Sequence, residues 1–332
     1  MQMLNTEQRI ALLVQLGEYM LSDSEEWDIT KDRAVSMNAW FTRGNVELAV
    51  SNICAEFLQK DKIEQWISKY TPVDNAKKVG VVTAGNIPLV GFHDFLCGFM
   101  SGQITMLKLS SKDEVLLKHV IAKLTEWNSE VANEVIVADN LKGCDAYIAT
   151  GSNNTARYFE QYFAKYPNII RRNRTSVAIL DGTETEEELD KLMNDVFSYF
   201  GLGCRNVTQI CVPQSYDLTK IMEAANKYAD IINHHKYKNN FDYYLAIYLL
   251  NKVPYYSNDS LLMVENVVPF SAVSVLHYRY YDRIETIQNE LNSSEDIQCI
   301  VGHNNIPFGN SQKPNLSDYA DGVDTMQFLT SL

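Results

Sequence analysis

The segment Phe200-Gly201-Leu202-Gly203-Cys204-Arg205-Asn206-Val207 places a cysteine in a turn bracketed by glycines, between an amphipathic helix and a β-rich run. A thiol at an element boundary, where the backbone admits a ligand closely and a guanidinium follows in sequence, has the setting of a nucleophile. A small residue packed into a tight corner has the same local pattern, so the other motifs of the chain decide the weight of this one.

Four further stretches carry residue types suited to a site. Gly85-Asn86-Ile87-Pro88 follows an apolar run almost directly; the Asn86 amide suits either a tight turn or donation to a developing oxyanion. Lys108 sits within Met106-Leu107-Lys108-Leu109 and reads as an edge-strand charge or as a group for a phosphate or ribose. Thr150-Gly151-Ser152 ends a strand and opens a helix, which provides an ordinary N-cap and also a seat for a phosphate. Arg171-Arg172-Asn173-Arg174 is the densest basic cluster of the chain, a solvated loop or a holder for a large anion.

These residues need a scaffold, and hydrophobic spacing supplies its outline. Ile10, Leu13, Val14, Gly17, Met20 and Leu21 recur at the helical period, as do Val46, Ala49, Val50, Ile53, Cys54, Phe57 and Leu58, so the first 70 residues read as helices closed by Thr71-Pro72. From Lys78 short apolar runs alternate with helical segments: 79–83, 104–109, 134–138, 146–150 and 176–180. Strand–helix alternation implies βαβ units and a mainly parallel sheet, with ligands at the carboxyl ends of its strands. After Cys204 the alternation starts again, with strands near 207–212, 271–278 and 297–301. The expected architecture is α/β with two domains: 1–198, N-terminal helices plus a cofactor domain, and 199–332, a catalytic domain whose tail returns to the first.

Composition narrows the function classes. At 332 residues the chain holds about two domains, and 46% apolar with 21% charged residues is an ordinary globular balance. A net charge of −13 argues against nucleic acid, which needs a basic face. The N-terminus has no basic region leading into an apolar stretch, and no run of apolar residues is long enough for a bilayer, so the expectation is a cytoplasmic protein without a membrane span. The six cysteines are scattered without CxxC or zinc-type spacing, which points to reduced thiols and no structural metal. No GxGxxG occurs, so a conventional Rossmann dinucleotide site is not expected.

Taken in order, the motifs resemble those of the aldehyde dehydrogenase superfamily from about Lys78 onward. Gly85-Asn86-Ile87-Pro88 is similar to that family's Asn-aromatic-Pro segment, whose asparagine helps form the oxyanion hole. Lys108 matches the lysine for the adenosine ribose or its 2′-phosphate, Thr150-Gly151-Ser152 the opening of the cofactor-site helix, and Gly203-Cys204 the nucleophile. Glu265 with Pro269 resembles the Glu-x-x-x-Pro whose glutamate holds the nicotinamide ribose, and Ile306-Pro307-Phe308-Gly309-Asn310 resembles the Pro-Phe-Gly-Gly turn.

The departures refine the resemblance. Hydrolytic members carry a glutamate that activates water, and the corresponding stretch here, Ile170 to Thr175, holds no carboxylate. The compact length, Ala-Gly-Asn-Ile-Pro-Leu, Arg-Asn-Arg-Thr-Ser-Val and Gly-Cys-Arg-Asn are together similar to acyl-CoA reductases of the bacterial bioluminescence type. That resemblance implies reduction of a fatty acyl-CoA to an aldehyde through a Cys204-bound acyl group. Conventional aldehyde oxidation and a partner-dependent or non-catalytic component stand as alternatives. Ser111, three after Lys108, replaces a glutamate frequent in NAD-preferring relatives, which implies NADPH, with NADH as the alternative. A homo-oligomer or an acyl-transferring partner enzyme fits the resemblance. His303, beside the Pro-Phe-Gly turn, is a candidate proton donor, and Arg205 a candidate stabiliser of the thiolate.

Overall fold

The computed structural model describes residues 3–71, 73 and 75–332; Pro72, the expected end of the helical section, lies outside them. The chain divides into two compact units, residues 1–173 with 314–332, and residues 174–313.

The first unit begins with four helices, α1 (Thr6–Leu21), α2 (Glu25–Met37), α3 (Arg43–Phe57) and α4 (Lys60–Ile67). Asn5 opens α1 with a capping box completed by Gln8, and Ser24 and Thr42 cap α2 and α3, so each start satisfies backbone N–H groups that a helix leaves unpaired. The apolar face of α1 (Leu13, Leu16, Met20) joins Val46, Val50 and Ile53 of α3 and Phe92, Phe95 and Phe99 in one core.

The chain then builds β1 (Lys78–Val82), α5 (Phe92–Ser101), β2 (Ile104–Lys108), α6 (Val115–Trp127), α7 (Val131–Glu134), β3 (Val135–Val137), β4 (Ala146–Thr150), α8 (Asn153–Phe163) and β5 (Asn168–Arg171). The five strands form a parallel sheet in the order β3-β2-β1-β4-β5. Strand order reverses beside β1, since β2 lies on one side and β4 on the other. That is the switch point where open α/β sheets bind ligands beyond the carboxyl ends of their strands.

The second unit contains β6 (Thr175–Ile179), α9 (Glu186–Phe197), β7 (Val207–Pro213), α10 (Thr219–Ala225), α11 (His235–Leu250), β8 (Tyr256–Ser257), β9 (Leu262–Glu265), β10 (Val275–Tyr281), α12 (Ile284–Asn292) and β11 (Ile297–Val301). Its sheet runs β11-β6-β7-β10-β9-β8, parallel except for the β8–β9 pair. The division falls at Asn173/Arg174, whereas the sequence reading set it at 198/199. The difference is β6 and α9: β6 hydrogen-bonds β7 and β11, so it belongs to the second sheet. Residues 314–332 return to the first unit, where α13 (Thr325–Thr330) accepts a bond from Gln103 Nε2 to Leu329 O at 2.7 Å.

Three strands escape the sequence reading: β5, β8 and β9. β5 lies partly in the stretch read as a basic loop, because Asn168 and the arginines hide the apolar Ile169 and Ile170.

Candidate functional site

In the first unit the proposed cofactor residues share one edge of the sheet. Register sets Val82 beside Lys108 on one side and Ala149 on the other. The chain leaves β1 at Thr83, β2 after Lys108 and β4 at Thr150, all at the carboxyl edge of the switch point. Neighbouring strands lie about 4.8 Å apart, so Lys108 and Thr150 flank β1 at a backbone separation of roughly 10 Å.

Local packing fixes these loops against each other. Thr83 N–H donates to Lys108 O at 3.1 Å and Ser110 N–H to Thr83 Oγ1 at 3.2 Å. A Cβ at Gly85 would lie 2.5 Å from Ser110 Oγ, so only glycine lets the Asn86 turn press on the Lys108–Ser111 loop. Asn86, Lys108, Ser111 and Ser152 are exposed, and Thr150 and Gly151 half-buried. Ser152 caps α8, its Oγ accepting from Thr155 N–H at 3.3 Å. A cleft of about 740 Å³ opens beside this edge, with Lys108, Asp139, Lys142, Phe159, Tyr162 and Tyr166 among its walls.

The basic cluster does not act as one unit. Arg171 is buried, and its Nη1 donates to both oxygens of Asp94 at 2.5 Å while Nη2 donates to Thr325 Oγ1 at 2.8 Å. Arg172 pairs with Glu160 on the surface, and Arg174 Nη1 donates to Ile297 O at 3.2 Å in the second unit. One arginine became internal structure because its side chain reaches Asp94 of α5, where a carboxylate matches its charge.

In the second unit exposure separates the thiols. Cys211 is buried there, as Cys54, Cys97 and Cys144 are in the first unit, whereas Cys204 and Cys299 are half-buried. Burial raises the thiols of Cys97, Cys144 and Cys211 and pushes Cys54 up to about 12, which leaves these four inert as nucleophiles. Cys299 lies within β11 and meets Ser176 Oγ at 3.0 Å; the same hydroxyl donates to Cys204 O at 3.0 Å.

The Cys204 turn is built from unusual backbone. Tyr199, Phe200 and Gly201 have φ of 52°, 59° and 75°. Two bulky residues in the left-handed region are costly and persist only where surroundings fix them, and both rings are buried here. Asn206 is fully buried; its Oδ1 accepts from Gly203 N–H at 2.8 Å, and Nδ2 donates to Asp195 O at 3.0 Å and Ser198 O at 2.7 Å. The side chain thereby serves carbonyls that α9 leaves open at its end.

Glu265 ends β9 and is exposed. The 266–269 segment after it is bound to the start of β7: Gln209 Nε2 donates to Asn266 O at 2.8 Å and Thr208 Oγ1 to Pro269 O at 2.6 Å. Arg205 Nε donates to Ser311 O at 2.6 Å, an attachment to the 307–311 turn.

His303 is misplaced for a proton donor to Cys204. Cys204 precedes β7, level with Ser176, and His303 follows β11 at the opposite edge, where its Nδ1 meets Asp181 Oδ2 at 2.8 Å. Asp181 lies five residues beyond Ser176 along β6 and its continuation, roughly 16 Å of extended chain. Hydrogen bonding to Asp181 and Glu188 raises the His303 pKa, against the effect of burial. Asp181, Glu184 and His303 bring ligand-type atoms within 4.8 Å of one another, a cluster that the cysteine spacings gave no hint of. Sequence reasoning also missed Asp195, which reads as the polar face of an amphipathic helix and is 1% exposed.

Solved structures carry the same fold. A mutant indole-3-acetaldehyde dehydrogenase of P. syringae in complex with NAD+ and IAA is 12% identical, over 90% of this chain and 72% of its own, with a TM-score of 0.64. An oxidoreductase from Marinobacter aquaeolei is 10% identical, over 90% of this chain and 74% of its own, at 0.66. The glyceraldehyde-3-phosphate dehydrogenase of Methanocaldococcus jannaschii complexed with NADP is 14% identical, over 88% and 75%, at 0.64. The chain therefore has the aldehyde dehydrogenase-like fold, as its motifs led one to expect. No curated protein matches it by sequence. The family model for acyl-CoA reductase (LuxC) matches residues 5–239, and the chain belongs to that family. It is an NAD(P)-dependent oxidoreductase of aldehyde-related chemistry. Among the described residues no helix is long and apolar enough to cross a membrane.

Proposed function

We propose that the protein reduces a fatty acyl-CoA to the aldehyde through a thioester on Cys204. The observation that carries this reading is the half-buried Cys204 thiol on a turn held by Asn206, inside the segment that matches the acyl-CoA reductase family. The Cys204 thiolate attacks the acyl carbonyl, the bond to the CoA sulfur breaks, and CoA leaves as the thiol after taking a proton. The nicotinamide cofactor, when bound, supplies the hydride that reduces the thioester carbonyl. The thiohemiacetal on Cys204 then collapses, releasing aldehyde and restoring the thiolate. Asn86 serves as a donor to the oxyanion.

The first unit's residues fit such a cofactor. The exposed Lys108 ammonium, Ser111 in place of a carboxylate, and Thr150, Gly151 and Ser152 at the start of α8 stand at a sheet switch point beside an open aromatic-walled cleft. Lys108 and Ser111 favour a 2′-phosphate and hence NADPH, and Glu265 would hold the nicotinamide ribose. In this reading the first unit is the cofactor domain and the second the catalytic one. Arg171, paired with Asp94 in the stretch where hydrolytic relatives have their base, favours reduction over aldehyde oxidation.

The test is intact mass after incubation with a long-chain acyl-CoA and no cofactor. An acyl adduct on wild type but not on Cys204→Ala, discharged by NADPH with aldehyde released, is the expected result. An adduct that survives in Cys204→Ala, or none on wild type, would overturn the reading.

A further inference from the structure

A buried carboxylate in α9 has no place in the chemistry described so far. Asp195 Oδ2 accepts from Gly309 N–H at 2.7 Å and Oδ1 from Ser311 N–H at 2.9 Å. Ser311 in turn accepts from Arg205 Nε at 2.6 Å, on the residue next to Cys204. On the other side, the main-chain oxygen of the same Asp195 accepts from Asn206 Nδ2 at 3.0 Å. One residue thus reaches the cysteine turn by two routes, through its carbonyl to Asn206 and through its carboxylate to the 307–311 turn and Arg205.

We infer that Asp195 is a positioning residue for Cys204, and that the Pro307-Phe308-Gly309-Asn310 turn is a latch closed by its carboxylate, which holds Arg205 and through it the nucleophile turn. A bare carboxylate suits this post because it offers only acceptors to two converging N–H donors. Burial pushes the Asp195 carboxyl above its ordinary range, against the donors of Ser311 and Gly309, so the group stands there at a cost that solvent exposure would remove. The Gly309 backbone, at φ 82°, brings its N–H to the carboxylate in a conformation that favours glycine. The inference rests on the reading of Cys204 as the nucleophile.

Asp195→Asn tests it with little change of shape, since an amide meets two N–H donors with one acceptor and one donor of its own, and one bond must open. Arg205→Ala removes the last link and keeps the test usable should Asp195→Asn not fold. The readouts are the acylation rate from acyl-CoA, the rate of Cys204 alkylation by iodoacetamide with Cys299 as internal control, the KM for NADPH, and the melting temperature. Misplacing a nucleophile by about 1 Å costs on the order of 10²-fold. The expected result is a 10- to 100-fold fall in acylation for each single variant, an altered alkylation rate at Cys204 only, and an unchanged KM for NADPH. The double variant falls no further than the worse single, because the two groups act in series. Wild-type acylation in folded Asp195→Asn, or losses that multiply in the double variant, would overturn the latch. Absence of acylation in the wild-type protein would instead count against the acyl-CoA reading, while the alkylation rates would still report on the latch.

Discussion

Replacing Arg171 by methionine isolates the energetics of the buried pair that ends β5. Both side chains are almost fully enclosed, at 5% and 8% exposure. The change removes two charge-assisted bonds to Asp94 and strands its carboxylate, a loss of about 3–5 kcal/mol in comparable buried pairs. Thr325 also loses its donor, and opening that single bond adds about 1 kcal/mol. Against a total stability of about 5–15 kcal/mol this loss removes a large fraction of the folding margin. The compensating double variant Asp94→Leu/Arg171→Met removes both charges and the buried Arg171 Nε that has no hydrogen-bond partner, and should return to within about 2 kcal/mol of wild type. Urea titration followed by tryptophan fluorescence measures this, because all four tryptophans, Trp27, Trp40, Trp66 and Trp127, belong to the first unit. The single variant's midpoint should fall by about 1–2 M and the double's should recover most of that. A single variant within about 1 kcal/mol of wild type, or a double less stable than both singles, would refute the assignment.

Other expectations follow from the same geometry. Asn86→Ala should lower the acylation rate by about 10²–10³-fold with the fold intact, since one oxyanion donor is worth about 3–4 kcal/mol; single-turnover kinetics would show it, and an unaltered rate would remove Asn86 from the chemistry. Ser111→Glu should weaken NADPH relative to NADH in kcat/KM by tenfold or more, through repulsion of the 2′-phosphate; wild-type enzyme that already uses NADH at least as well would refute the argument from Ser111. His303 carries a raised pKa from Asp181 and Glu188, while the half-buried Asp181, against the desolvation it does suffer, is held at about 2 by Thr183 and His303 and stays ionised throughout the range in which the imidazole titrates. The imidazolium's stabilisation is therefore complete below about pH 6.5 and lost as pH rises through the higher folded value. The difference in urea midpoint between wild type and His303→Gln should be largest near pH 5.5 and close by pH 9; a gap independent of pH would show that the ion pairs contribute nothing.

Much of this molecule was legible in one dimension. Apolar runs such as Val79–Val82 and Ala146–Ala149 mark buried parallel strands by themselves, because both faces of such a strand are covered and no polar alternation interrupts them. The glycine-bracketed Cys204 and the turn at Asn86 stood out for a similar reason: each depends on local backbone chemistry, which the sequence displays directly. What sequence could not decide was whether a charge would be solvent or interior. Arg171 and Arg172 are neighbours of identical type, yet Arg171, the last residue of β5, is buried and locked to Asp94, whereas Arg172, just past the strand, pairs with Glu160 on the surface. Asp195 looks like any polar residue of α9 until the 307–311 turn, more than a hundred residues away, folds onto it. His303 lay close to a suggestive motif in sequence and reached the far edge of the sheet in space. Local order sets elements and turns; which polar groups are buried, paired or brought to one edge depends on strand register and long-range packing, and only the tertiary structure supplies those.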